Sequence, residues 1–124
     1  MEKVVLIVDE EPLIISRLKR LLERRGFSVV SAERAEQALV KLATRRIDLV
    51  MVDFGLSGIN GAELLERVKR FYPQVKRVLM TSGVPSPAIK KAVKNSTAQA
   101  VIEKPWEEDE LLEVIENLLS EKGE

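Results

Sequence analysis

The chain has 124 residues, and 45% of them are hydrophobic, which is enough to fill the core of one domain. Basic and acidic residues number 20 each, so the net charge of zero argues against direct binding of nucleic acid. Because cysteine and histidine are absent, disulfides, thiolate nucleophiles, histidine bases and Cys or His metal sites are excluded. The amino-terminal apolar run is too short for a signal peptide or membrane span, so we expect a cytoplasmic protein with no membrane contact.

Five short apolar runs, rich in Val, Ile and Leu, do not alternate clearly with polar residues. This pattern is typical of strands that are buried on both faces of a parallel sheet. The runs cover residues 4–8, 27–30, 49–52, 78–80 and 100–102. Each of them is followed by apolar residues at spacings of three and four, which predict a helix.

The predicted helices alternate with the strands along the whole chain, and Gly26 is expected to end the first of them. Their apolar faces are Leu13, Ile14, Leu18, Leu21 and Leu22; Ala35, Ala38, Leu39 and Leu42; Leu64, Leu65, Val68 and Phe71; Ala88, Ile89, Ala92 and Val93; and Leu111, Leu112, Ile115, Leu118 and Leu119. The alternation predicts an α/β protein with a (βα)5 doubly wound, five-stranded parallel sheet. We expect one domain over residues 1–124 and no output domain.

Polar residues follow the strands at the end where doubly wound sheets carry their function. Asp9 and Glu10 follow the first strand, Asp53 the third, Thr81 the fourth and Lys104 the fifth. If the first and third strands are neighbours, the three carboxylates converge. Each residue alone has an ordinary explanation as a cap, a turn or a strand end, so the combination carries the argument.

Converging carboxylates need a partner, since two of them about 5 Å apart repel by roughly 3 kcal/mol at an effective dielectric constant of about 20. Such a cluster should hold a proton or a cation, and oxygen ligands with phosphate favour Mg²⁺. A phosphoryl group on Asp53 would then meet the metal, the Lys104 ammonium and the Thr81 hydroxyl. These groups would stabilise a transition state for phosphoryl transfer.

The pattern resembles that of response-regulator receiver domains over essentially the whole chain. The matching residues are the acidic pair Asp9 and Glu10, the phosphoryl acceptor Asp53, the loop 58–62, the hydroxyl Thr81 and the pair Lys104-Pro105. The resemblance implies a flavodoxin-like strand order of 2-1-3-4-5 and a cis peptide before Pro105. It also implies Mg²⁺ bound by Glu10, Asp53 and the Gly55 carbonyl, with Asp9 acting partly through water.

Several positions depart from the receiver pattern. Glu10 stands where aspartate is usual, and Leu56-Ser57 replaces a common apolar-Pro pair. The interval from Thr81 to Lys104 is one residue longer than in many receivers, which leaves Ser82 as the alternative hydroxyl, although the strand pattern favours Thr81.

A further departure concerns the switch after phosphorylation. Val101 occupies the position of the Tyr or Phe that turns inward in many receivers, and Pro85 and Pro87 stiffen the loop after Thr81. We therefore expect a smaller or different change on phosphorylation, although Thr81 could still move while Val101 repacks.

The favoured function is a stand-alone receiver that takes a phosphoryl group from a phosphohistidine on a sensor histidine kinase or a histidine phosphotransfer protein. We expect no enzymatic activity apart from its own phosphorylation and autodephosphorylation. It would signal to a downstream protein target as a monomer or weak dimer.

One alternative is a Mg²⁺-dependent phosphatase with an aspartyl-phosphate intermediate. It is disfavoured because Gly55 stands where the second acid of such enzymes often lies. Another is a receiver-like binding module that works without phosphorylation. A nucleotide-binding flavodoxin-like protein is less favoured, since no Gly-rich loop follows the first strand.

Overall fold

A parallel sheet of five strands forms the centre of the structure, a computed structural model that describes residues 2–120. The strands are β1 (Val4–Val8), β2 (Ser28–Ala32), β3 (Leu49–Asp53), β4 (Lys76–Ser82) and β5 (Ala100–Lys104). The helices are α1 (Pro12–Arg24), α2 (Ala35–Thr44), α3 (Gly61–Phe71), α4 (Pro87–Lys94) and α5 (Glu108–Ser120). The strands lie in the order β2-β1-β3-β4-β5, and every neighbouring pair is parallel, which confirms the predicted fold and strand order.

Each face of the sheet has its own hydrophobic core, because successive side chains of a strand point to opposite faces. In β1, Leu6 and Val8 belong to the core that includes residues of α2, α3 and α4, whereas Val5 and Ile7 belong to the core that includes residues of α1 and α5. All four side chains are fully buried. Burial of such a side chain contributes about 1.5–3 kcal/mol, so a strand that is covered on both faces reads as an unbroken apolar run.

Strands β3, β4 and β5 extend further toward their carboxyl ends than their apolar runs indicate. Asp53 pairs in register with Met80, and Ser82 pairs in register with Lys104. The polar residues that were expected just after these strands are therefore the last residues of the ladder. Strand pairing therefore fixes the backbone of these polar residues more firmly than a loop would.

Four residues of the predicted apolar helix faces are exposed: Leu13 and Ala88, in the first turns of α1 and α4, and Phe71 and Val93, in the last turns of α3 and α4. Leu13 is 62% exposed, and Phe71 is 64% exposed, with the Arg70 guanidinium 5.4 Å from its ring centre. All four lie in the first or last turn of a helix, where helical spacing does not ensure a packing neighbour. Gly26, with φ +92°, follows α1 as expected. Within residues 2–120 no helix is long and apolar enough to cross a membrane.

Candidate functional site

The candidate site lies at the carboxyl ends of β1, β3, β4 and β5. Because β1 and β3 are neighbours, Asp9, one residue beyond β1, lies beside Asp53 at the end of β3. Lys104 ends β5, and its side chain passes across the end of β4 to reach both of them. Its Nζ lies 2.7 Å from Asp9 Oδ2 and 2.9 Å from Asp53 Oδ1.

Two opposing effects determine the pKa of Lys104. Burial alone would lower the pKa of Lys104, but the hydrogen bonds to Asp9 and Asp53, together with their negative charges, raise that pKa above its ordinary value. Lys104 is therefore charged at neutral pH, as the nearly complete burial of the Asp9 carboxylate requires. The Lys104 ammonium therefore offsets part of the negative charge of both carboxylates.

Glu10 does not join the other two carboxylates. Its Oε2 accepts a hydrogen bond of 2.7 Å from the backbone N–H of Ser57, and this bond lowers the pKa of Glu10, with a further contribution from the Ser57 side chain. Of the residues from 2 to 120, no three acidic side chains form a group that could hold a metal ion. The predicted convergence of three carboxylates is therefore not found within residues 2–120: Asp9 and Asp53 meet at Lys104, and Glu10 bonds to Ser57 N. The metal-binding roles of these residues stay predictions.

The donor set nevertheless fits magnesium in its chemistry. Asp9 and Asp53 supply carboxylate oxygens on either side of one nitrogen, and the backbone of Gly55 lies close enough to donate its N–H to Asp53 Oδ2 at 3.2 Å. Oxygen ligands from one or two carboxylates are what Mg²⁺ usually takes from a protein. Glu10 could contribute its second oxygen, Oε1, while Oε2 keeps its bond to Ser57 N.

The loop between β3 and α3 packs tightly beneath the Asp53 backbone. A Cβ atom on Gly61 would lie 2.4 Å from the Asp53 carbonyl oxygen, so only glycine allows this approach. Asn60 accepts a bond from Glu63 N while the Glu63 side chain accepts one from Asn60 N, which closes a capping box at the start of α3. The resemblance to receivers marked the loop 58–62 that contains Gly61, but nothing in the sequence indicated its close approach to the Asp53 backbone, although the spacing of Asn60 and Glu63 indicates the cap beside it.

Both candidate hydroxyls lie within β4. Thr81 is buried and pairs with Glu103, whereas Ser82 is exposed and pairs with Lys104. The role of Thr81 therefore stays a prediction. The cis peptide between Lys104 and Pro105, which the resemblance implied, is present.

The residues of the unusual switch have clear places in the fold. Val101 is partly buried and packs against the core beneath α3 and α4. Pro87 is the first residue of α4, a position that proline favours, and Ser86 Oγ caps this helix by accepting from Ile89 N at 3.4 Å. Whether these residues restrict the response to phosphorylation stays a prediction.

Known proteins of similar sequence and structure include response-regulator receivers, as the residue pattern indicated. Residues 5–116 match the sequence family described as the response regulator receiver domain. The nitrogen assimilation regulatory protein NtrX of Azorhizobium caulinodans is 38% identical over 117 residues, which is 93% of this chain and 26% of that regulator. The chain thus spans about a quarter of the length of this relative.

Solved structures of similar size also match. A CheY-like response regulator receiver domain protein from Methanospirillum hungatei JF-1 superposes with a TM-score of 0.89 at 33% identity, over 96% of this chain and 94% of that one. The signal receiver domain of an HD domain-containing protein from Pseudomonas fluorescens Pf-5 gives a TM-score of 0.88 at 34% identity, over 95% and 87%.

Proposed function

The chain belongs to the response-regulator receiver family, and we propose that it accepts a phosphoryl group on Asp53 from a phosphohistidine in a Mg²⁺-dependent reaction. The observation that carries the proposal is the Lys104 ammonium, which bridges the buried Asp9 carboxylate and Asp53 at the sheet edge. This bridge supports the proposal because it holds a positive charge beside the carboxylate that would accept the phosphoryl group.

The reaction needs little covalent work from the protein. An Asp53 carboxylate oxygen forms a bond to phosphorus as the bond from phosphorus to the donor's imidazole nitrogen breaks, and the imidazole leaves with the electron pair. Lys104 offsets negative charge on the phosphoryl oxygens, and the Thr81 hydroxyl donates to another of them. Magnesium, when held by Asp9, Asp53 and the Gly55 carbonyl, supplies the positive charge that reduces repulsion between the carboxylates and the incoming group.

The donor must be another molecule or segment, since this chain contains no histidine. We propose a sensor histidine kinase or a histidine phosphotransfer protein in the cytoplasm. The signal would then leave through protein contacts on the face that α4, β5 and α5 form, without direct binding of nucleic acid.

A second candidate, a binding module that works without phosphorylation, has one observation in its favour. The Lys104 ammonium contacts both the Asp9 and the Asp53 carboxylates, so one positive charge already offsets part of their negative charge. A phosphatase is less well supported, because Gly55 offers no side-chain acid two residues after Asp53.

The test uses acetyl phosphate, with and without Mg²⁺, and intact-mass measurement. We expect the wild-type chain to gain one phosphoryl group only with Mg²⁺, and Asp53→Asn to gain none. Asp109→Asn, an exposed control at the start of α5, should behave as wild type. Equal labelling of Asp53→Asn would overturn the assignment of the acceptor. No labelling of the wild type would favour the binding module.

A further inference from the structure

A cavity of about 650 Å³ lies beside the phosphoryl-acceptor site, between α1 and the turn that joins β5 to α5. Its size falls within the range of roughly 300–1,000 Å³ that is usual for small-molecule sites. Three arginines line it, together with Ile14, Ser82, Lys104, Pro105, Trp106 and Glu108. The cavity is therefore rich in positive charge and contains one large aromatic ring.

The three arginines, Arg17, Arg20 and Arg24, follow one another at spacings of three and four along α1, which places them on one side of the helix. Within residues 2–120 none of them forms an ion pair, whereas the adjacent Arg25 pairs with Glu116 at 2.9 Å. Like charges at these spacings repel each other on a helix surface. An anion in the cavity would relieve that repulsion, and guanidinium groups match phosphate oxygens particularly well.

Trp106 supplies the second feature of the cavity. It is half-buried and packs against the core between the sheet, α1 and α5, so its ring has a fixed support. An indole ring offers a flat apolar surface on which a nucleobase can stack. The Glu108 carboxylate and the Ser82 hydroxyl lie in the same lining and can bond to the polar edge of a base.

We propose that this cavity binds a nucleotide, with its phosphates on Arg17, Arg20 and Arg24 and its base against Trp106. Arginine side chains would do here what backbone N–H groups do in Gly-rich phosphate loops. The volume suits a nucleotide, whereas a folded partner segment would need a longer groove. The site shares Lys104 with the acceptor, but binding itself does not depend on phosphorylation of Asp53.

Trp106 is the only tryptophan in the sequence, so tryptophan fluorescence comes from a residue that lines this cavity. Trp106 also borders the surface between β5 and α5, so the arginine variant below is needed to assign a signal to the cavity. The full chain would be titrated with GDP and with ADP, with correction for nucleotide absorption and a parallel calorimetric titration. We expect at least one nucleotide to saturate, with half-saturation at roughly 10–100 µM. Inorganic phosphate and guanosine, which each lack half of the ligand, should bind at least about tenfold more weakly.

Two matched variants complete the test. Arg20→Ala should weaken nucleotide binding by at least about tenfold, while Arg67→Ala, an exposed arginine on α3, should leave it unchanged. Circular dichroism would establish that both variants are folded. The proposal is overturned if neither nucleotide saturates, if the two variants lose affinity equally, or if phosphate alone binds as tightly as the nucleotide. Saturation by poly-glutamate but by no nucleotide would also overturn it and would assign the arginines to an acidic protein partner.

Discussion

Two cations lie inside this domain, at opposite ends of the paired strands β4 and β5, and they are held in different ways. At the carboxyl end, Lys104 contacts the carboxylates of Asp9 and Asp53. At the amino end, the buried Arg77 guanidinium donates to four backbone carbonyl oxygens, at distances of 2.9–3.3 Å. These acceptors belong to Pro73, Val75, Ser96 and Thr97.

The partners of the two cations differ in kind: the Arg77 guanidinium contacts backbone carbonyls and supports the structure, whereas Lys104 contacts carboxylates. Carbonyl groups are neutral and cannot exchange a proton, so Arg77 ties the loop before β4 to the loop before β5 permanently. Burial lowers the pKa of Arg77, and no carboxylate of residues 2–120 offsets this effect. In the function proposed above, by contrast, the carboxylates around Lys104 would bind a metal and accept a phosphoryl group, so that network would be rearranged.

The largest effect on stability is expected from Arg77→Met. The substitution keeps much of the side-chain volume but leaves four carbonyls without their donor, so we expect a loss of about 3 kcal/mol in the free energy of unfolding. Urea denaturation measures this loss, with the exposed Arg67→Met as a control near zero. A loss below about 1 kcal/mol would show that water replaces the guanidinium without difficulty.

The acceptor end is tested by Gly61→Ala. The added Cβ would meet the Asp53 carbonyl oxygen at 2.4 Å, so the backbone must shift. We expect a loss of about 2 kcal/mol, typical of overpacking, and slower phosphorylation because Asp53 moves. The comparison is Glu66→Ala on the exposed side of α3. Unchanged stability in Gly61→Ala would mean that the loop is looser than the structure indicates.

The pH dependence of stability tests the ion pairs of Lys104. Folding raises the pKa of Lys104 above its ordinary value of 10.5, so its contribution to stability is complete below that pH and is lost as pH rises through the folded pKa. The stability gap between wild type and Lys104→Met should therefore narrow above about pH 10.5. Urea titrations at pH 7, 10 and 11.5 would reveal it, and a gap that widens would contradict the ion-pair network.

The smallest effect is expected from Glu10→Asp. Aspartate is one methylene shorter and should lose the bond to Ser57 N, so that both of its oxygens become available to the metal. We expect the Mg²⁺ concentration for half-maximal labelling by acetyl phosphate to fall about threefold. A higher Mg²⁺ requirement would mean that Ser57 positions Glu10 usefully.

Much of this fold can be predicted from the sequence, because burial on both faces makes each strand a continuous apolar run. Helix ends were less predictable. Leu13 and Phe71 keep helical spacing but lie where the helix has no neighbour, and spacing carries no information about that. The strand order came from the resemblance to receivers, since local patterns do not specify which strands pair.

In the candidate site, too, the sequence predicted the residue types but not their contacts. The residue types at the strand ends indicated phosphoryl chemistry, but the bonds among them depend on contacts between distant parts of the chain. Lys104 reaches Asp9 because β4 and β5 lie beside β3, and Glu10 turns to a Ser57 N–H 47 residues away. The role of Arg77 could not be predicted, because a lone arginine at the start of an apolar run does not indicate that carbonyls will surround it.

The central claim, that phosphoryl chemistry belongs to the Lys104 end while Arg77 supports structure, is tested most directly by one comparison. Lys104→Met and Arg77→Met would be labelled with acetyl phosphate and Mg²⁺, at a temperature where circular dichroism shows both to be folded, and their intact masses measured. We predict that Arg77→Met gains phosphoryl mass at the wild-type rate and that Lys104→Met labels at least about tenfold more slowly. Equal labelling of the two variants, or a loss confined to Arg77→Met, would contradict the account.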